Sequence, residues 1–143
     1  MSDPARRITD SFNAQGLMTT LGAKLTRIED GEVRIALTPR PEISQQHGYI
    51  HAGALTSILD TACGYAALTV APADADVLTV EFKVNFLRPA LGDGFVAVGK
   101  VVKAGKTITV CAGELFASRE GRDELIAIMQ ATIANIAPRA HRE

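Results

Sequence analysis

Residues 45–73 read QQHGYIHAGALTSILDTACGYAALTVAPA, and between His51 and Asp74 the chain holds a single formal charge, Asp60. Leu55, Ile58, Leu59 and Ala62 recur at the three- and four-residue steps of an α-helix, while the small residues Ala54, Ser57, Ala66 and Ala67 permit close packing on other faces. The spacing predicts a helix that is apolar nearly all round and therefore buried. A carboxylate in the middle of it is desolvated at a penalty of several kcal/mol unless water, a donor or a substrate meets it, which makes Asp60 the first functional candidate. The structural alternative is a solvated stripe on the helix, or a buried acid satisfied by neighbouring hydroxyls such as Thr56, Ser57 or Thr61. Upstream, His47, Gly48, His51 and Gly53 feed a Gly- and His-rich loop into the helix start, where the first backbone N–H groups lack intrahelical acceptors and carry partial positive charge. Such a terminus can polarise a carbonyl oxygen.

With HGYIHAGALTSILDTA at 47–62, VEFKVNFLRPA at 80–90 and VVKAGKTITV at 101–110, the chain resembles the hotdog-fold acyl-CoA thioesterases of the phenylacetate-pathway (PaaI-like) type over most of residues 15–136. The resemblance implies a His-Gly-Gly element opening a central helix and an Asp or Glu about two turns later that activates water or attacks the thioester. His51 and Asp60 match that spacing. Ala52 stands where the family has the first Gly of the triplet. Gln45 or Gln46 stands where it has an Asn that orients water, with Gln45 the better match in distance from His51. The same alignment puts Thr79 at a hydroxyl position that helps hold the attacking water, although a strand face of polar residues is equally read as solvated or interfacial.

A length of 143 residues suits one domain with one substantial core. A net charge of −1 supplies no field for a polyanion, so nucleic acid is not an expected partner. Cys63 and Cys111 are too few for a disulfide framework and read as small core residues, which points to the cytoplasm. No apolar signal core opens the chain, and the longest apolar run is interrupted by Asp60 and bounded by Pro72 and Asp74, so no membrane span is expected. His47 and His51 lie four apart, but no third ligand stands at a usual spacing; neither a metal nor a separate cofactor is expected.

Residues 6–20 read as one short amphipathic helix anchored by Ile8, Phe12 and Leu17, with the core running from 21 to 137. Strands at 23–28 and 33–38 flank Asp30-Gly31, a hairpin signal. Pro39 and Pro41 break the second, and a long loop leads to the helix. Leu78, Val80, Phe82, Val84 and Phe86 alternate with Thr79, Glu81, Lys83 and Asn85 in the clearest strand of the chain. Three more strands follow at 95–104, 107–118 and 124–134, joined by turns at Gly105 and Gly121. One long helix against five to six antiparallel strands is an α+β layer arrangement. The resemblance names it hotdog.

Polarising a thioester carbonyl and attacking it require a donor and a carboxylate within roughly 3 Å of the reacting atoms. Ala52 and Asp60 lie eight residues apart, about 12 Å along one helix at the standard rise. Two antiparallel helices related by a two-fold axis would bring the Asp60 of one copy to the Ala52 end of the other, so a homodimer is expected, with a dimer of dimers beyond it. In this reading the Ala52 N–H, helped by Gly53, polarises the carbonyl, Asp60 is base or nucleophile, and His51 organises the loop. Tyr49, Ile50, Ile58 and Tyr65 are candidate linings for the acyl group. Arg88, Lys103 and Lys106 are candidates for the phosphates of coenzyme A, which enters as part of the substrate. Two alternatives remain open on the sequence: an acyl-CoA-binding module without catalysis, and a hotdog hydratase or dehydratase using His51 and an acid.

Overall fold

The computed structural model describes residues 3–137. The elements in order are α1 (Pro4–Ala14), α2 (Gly16–Leu21), β1 (Lys24–Glu29), β2 (Glu32–Leu37), a 3-10 turn (Pro41–Ile43), α3 (Ala52–Val70), β3 (Asp76–Phe86), β4 (Gly94–Lys103), β5 (Ile108–Arg119) and β6 (Arg122–Ile136). The six strands form one antiparallel sheet in the order β1-β2-β4-β5-β6-β3, and α3 lies across it against β2, β4 and β5. One long helix packed against a six-stranded antiparallel sheet is the hotdog fold.

The helix sits low on the sheet because glycines let it. A Cβ built on Gly99 in β4 would lie 2.4 Å from the Ala62 carbonyl, and one on Gly113 in β5 would lie 3.1–3.3 Å from Leu59, Cys63 and Met129. On the helix side the same contact is made by small residues, with Ala62, Cys63, Ala66 and Ala67 all fully buried beside Leu55, Ile58 and Leu59. Close-packed interiors tolerate no spare volume, so small residues on both partners set this separation. Burial pushes the Cys111 thiol up to about 11 and Cys63 higher still, and the Cys111 thiol donates to the Cys63 carbonyl at 3.4 Å. Both cysteines are core residues with protonated, unreactive sulfurs at neutral pH.

The hairpin signals hold: Gly31 adopts φ +75° between β1 and β2, and Glu120 and Gly121 adopt φ +50° and +76° between β5 and β6. In the β5–β6 turn both central residues have positive φ, which matches the right-handed twist of the flanking strands, while in the β1–β2 turn Gly31 alone does.

Two expectations need correction. The N-terminal helix is two helices, interrupted where Gln15 is extended (φ −81°, ψ 108°). The break resets the helical phase, so the second anchor is Met18, fully buried, while Leu17 is 52% exposed. The second correction concerns β3. Its register against β6 slips between Thr79 and Glu81, leaving Val80 as the unpaired residue of a bulge. A bulge flips the side-chain parity. Before it, Val77 packs on the core; after it, Val84 does, so the unbroken alternation in the sequence does not describe one face. β3 is moreover an edge strand, and Leu78, Val80 and Phe82 are exposed by 52%, 61% and 44%.

Candidate functional site

The loop before α3 is built on its own hydrogen bonds. The Gln45 N–H donates to the Tyr49 carbonyl (2.8 Å), Gly48 N–H returns to the Gln45 carbonyl (3.0 Å), and the Gln45 side-chain oxygen accepts from the N–H groups of His47 (2.5 Å) and Tyr49 (3.3 Å). Gly48 closes the turn at φ +86°, a conformation open to glycine. Gln45 thus stands half-buried inside the loop and lines the cavity beside the helix start, whereas Gln46 is exposed. Its carbonyl oxygen is occupied in shaping the loop, leaving the amide NH₂ as the group it can offer a ligand.

At the helix start His51 is the N-cap, and its Nδ1 accepts from the Gly53 N–H at 2.7 Å. An accepting Nδ1 requires the neutral imidazole with its proton on Nε2. The ring folds so closely over the backbone that a Cβ on Gly53 would lie 2.9 Å from Nδ1, which explains the glycine. The sequence expectation that Gly53 assists in polarising a carbonyl is corrected accordingly: its N–H is engaged by the cap. The Ala52 N–H, at the first helical position, donates to no acceptor among the described residues. Ala52 is exposed and shows no positive φ, so Ala in place of Gly strains nothing.

This terminus opens on a cavity of about 480 Å³ walled by Tyr49, Ile50, Phe86, Arg88 and Pro89 as well as Gln45 and Ala52. Arg88 pairs with Glu124 at 3.0 Å while staying mostly exposed. Lys103 and Lys106, at the β4–β5 end of the sheet, line neither this cavity nor the one at Asp60. Ile58 is fully buried in the core, so it cannot line a pocket.

Asp60 lies two turns further along α3 in a second cavity of about 360 Å³ between the helix, the start of β3 and α1. It is half-buried, and its Oδ1 accepts from the Thr79 hydroxyl at 2.7 Å. The bulge at Val80 produces this pairing, because it places Thr79 on the helix side of the sheet while Glu81 turns outward to accept from Thr132 at 3.1 Å. The local hydroxyls expected as an alternative do not serve Asp60: Ser57 donates to the Gly53 carbonyl at 2.7 Å.

Sequence reasoning missed the far wall of this cavity. Tyr65, expected as an acyl lining, stands here and not at the helix start; its hydroxyl meets Ser11 Oγ at 3.0 Å and accepts from Gln15 Nε2 at 3.0 Å. Arg7 fixes α1 over the site by donating to the carbonyls of Ala73 (2.8 Å) and Ala75. Ser11 and Gln15 carry no motif, and their distance of about fifty residues from Tyr65 hides the contact from any local pattern.

In one chain, then, a free N–H and a hydroxyl-bonded carboxylate occupy separate cavities at the two ends of a helical segment about 12 Å long. The thioesterase superfamily profile matches residues 47–123, which contain both. The fold superposes with a TM-score of 0.92 on a thioesterase family protein from Silicibacter pomeroyi, 43% identical, covering 94% of this chain and 99% of that one. The PaaI protein of the phenylacetic acid degradation operon of E. coli shares the fold at a TM-score of 0.84 and 20% identity, covering 94% of each chain. Among relatives by sequence, a Saccharolobus solfataricus protein provisionally named an esterase is 34% identical over 77% of this chain and 79% of its own. The medium/long-chain acyl-CoA thioesterase YigI of Salmonella typhimurium is 24% identical over 66% of this chain and 71% of its own. The chain belongs to the thioesterase superfamily.

Proposed function

We propose that this protein hydrolyses acyl-CoA thioesters, of the kind handled by PaaI-like enzymes, at a site completed by two copies of the chain. The observation that carries the reading is the pairing of an Asp60 carboxylate with the Thr79 hydroxyl in one cavity, and an unpartnered Ala52 N–H in another too far away for the same substrate carbon. The exposed edge strand β3, with Leu78, Val80 and Phe82 uncovered, supports a second copy as the missing half, since edge strands with apolar side chains are templates for pairing.

In this mechanism the Ala52 N–H of one copy donates a hydrogen bond to the thioester oxygen as negative charge grows on it. Asp60 and Thr79 of the other hold a water, Asp60 takes its proton, and the water oxygen bonds to the carbonyl carbon. The C–S bond then breaks, and the proton passes to the departing sulfur, giving a carboxylic acid and the free thiol of coenzyme A. Asp60 acting as nucleophile reaches the same products through a mixed anhydride that water opens. Arg88, which lines the helix-start cavity and pairs with Glu124, supports the reading as the cation for a coenzyme A phosphate. For the hydratase alternative His51 offers its Nε2–H alone, since its Nδ1 is committed to the cap.

Thiol release from a panel of acyl-CoA esters tests the activity. Asp60→Asn should lower kcat about a hundredfold or more while substrate still binds, as loss of a base or nucleophile does. An unchanged kcat removes Asp60 from the mechanism, and an enoyl ester formed without free thiol would establish the hydratase instead.

A further inference from the structure

α3 carries a glycine in its interior, Gly64, where glycine is the poorest helix former short of proline. Gly99 and Gly53 have steric reasons: a Cβ on Gly99 would strike the helix backbone and one on Gly53 would strike the His51 ring. At Gly64 a Cβ would meet nothing within 4 Å. The space beside it is the cavity holding Asp60, and Gly64 follows Asp60 by one turn on the same face. Direction matters here. Helical side chains lean toward the N-terminus and cover the preceding turn, so any side chain at position 64 would extend over the Asp60 carboxylate.

We propose that Gly64 is a specificity-determining residue, kept without a side chain so that the acyl group of the thioester can lie along α3 from Asp60 toward Leu68, and that the enzyme therefore takes acyl groups several carbons long in preference to acetyl. The inference rests on the thioesterase reading above and names its acyl site. The groove over Gly64 is bounded by Leu68, by Val77 and Leu78 of β3, and by Tyr65, whose hydroxyl is held by Ser11 of α1 and by Gln15, with Thr61 and Asp76 as further polar groups on its wall. Its length from Asp60 to Leu68 is eight residues of helix, about 12 Å.

The test compares kcat/KM for octanoyl-CoA and acetyl-CoA in the wild-type protein, Gly64→Ala and Gly64→Leu. Wild type should favour the octanoyl ester. Gly64→Leu should lower the octanoyl-to-acetyl ratio at least about tenfold, the discrimination that added bulk in a pocket delivers, and Gly64→Ala should lower it by less. Gly64→Ala should also raise Tm by roughly 2–4 °C, because nothing packs where its methyl goes. A ratio unchanged in both variants overturns the proposal. So does a changed molecular mass in light scattering, which would mean that the glycine serves close approach of another copy. Wild-type protein that releases thiol from neither ester, or from any other acyl-CoA, overturns the functional reading itself.

Discussion

Asp60 and Thr79 show how a single backbone irregularity decides chemistry. Without the bulge at Val80 the strand would hold its alternation, and one of the two pairings, Val77 or Val84 with the core, would be lost. With it, Thr79 turns inward and its hydroxyl reaches the carboxylate at 2.7 Å. A hydroxyl donating to a carboxylate keeps one of its oxygens oriented and can pass the arrangement on to a water. If Thr79 holds the attacking water, Thr79→Val should lower kcat by about 10–100-fold with KM for acyl-CoA little changed, and Thr79→Ser should restore most of it. Steady-state kinetics on the purified variants checks this. Equal activity in Thr79→Val would assign the hydroxyl to structure alone.

At the scale of elements, α3 and its bed on the sheet were the most legible part of the chain. Leu55, Ile58, Leu59 and Ala62 announce the buried helix by period alone, and Asp30-Gly31 and Glu120-Gly121 announce hairpins by the φ their turns demand. What periodicity cannot carry is the point where period breaks. Gln15 looks like any helical residue yet splits α1 from α2, and nothing in VEFKVNF marks the bulge or the edge position of β3, since both depend on which strand lies beside it. Gly99 is a similar case: an ordinary strand glycine in sequence, it is the residue that admits the helix backbone. Gly99→Ala forces a methyl against the Ala62 carbonyl and should destabilise the fold by about 3 kcal/mol, lowering Tm by roughly 10 °C in a thermal melt. A melt within a degree of wild type would show that α3 can lift from the sheet without loss.

At the scale of the whole molecule, the candidate site was legible in its residue types and not in its assembly. Asp60, Ala52 and His51 stood out because a lone charge and the chemistry of a helix start are local signals, and Gln45 stood out through the family resemblance. Ser11, Gln15 and the empty space over Gly64 are products of the fold and were not. Among the described residues no helix is long and apolar enough to cross a membrane. β3 leaves Leu78, Val80, Phe82 and Phe86 uncovered, and of these Leu78 lines the Asp60 cavity and Phe86 the helix-start cavity. The proposed shared site calls for a second copy docked on that edge, with the Ala52 end of one α3 facing the Asp60 of the other.

The shared site is the central claim, and mixed dimers test it most directly. Ala52→Pro removes the unpartnered N–H, and it should fold: Pro is accommodated at the first helical position, and His51 before it already has the extended backbone (φ −61°, ψ 133°) that a following proline requires. Asp60→Asn removes the carboxylate, so each variant alone should be nearly inactive. When equal amounts are unfolded and refolded together, half of the dimers should be hybrids, and in each hybrid one site holds both defects and the other neither. Thiol release should then recover to about a quarter of the wild-type rate by that symmetry count. No recovery, with hybrids confirmed by mass, would contradict the account and place both roles within one chain.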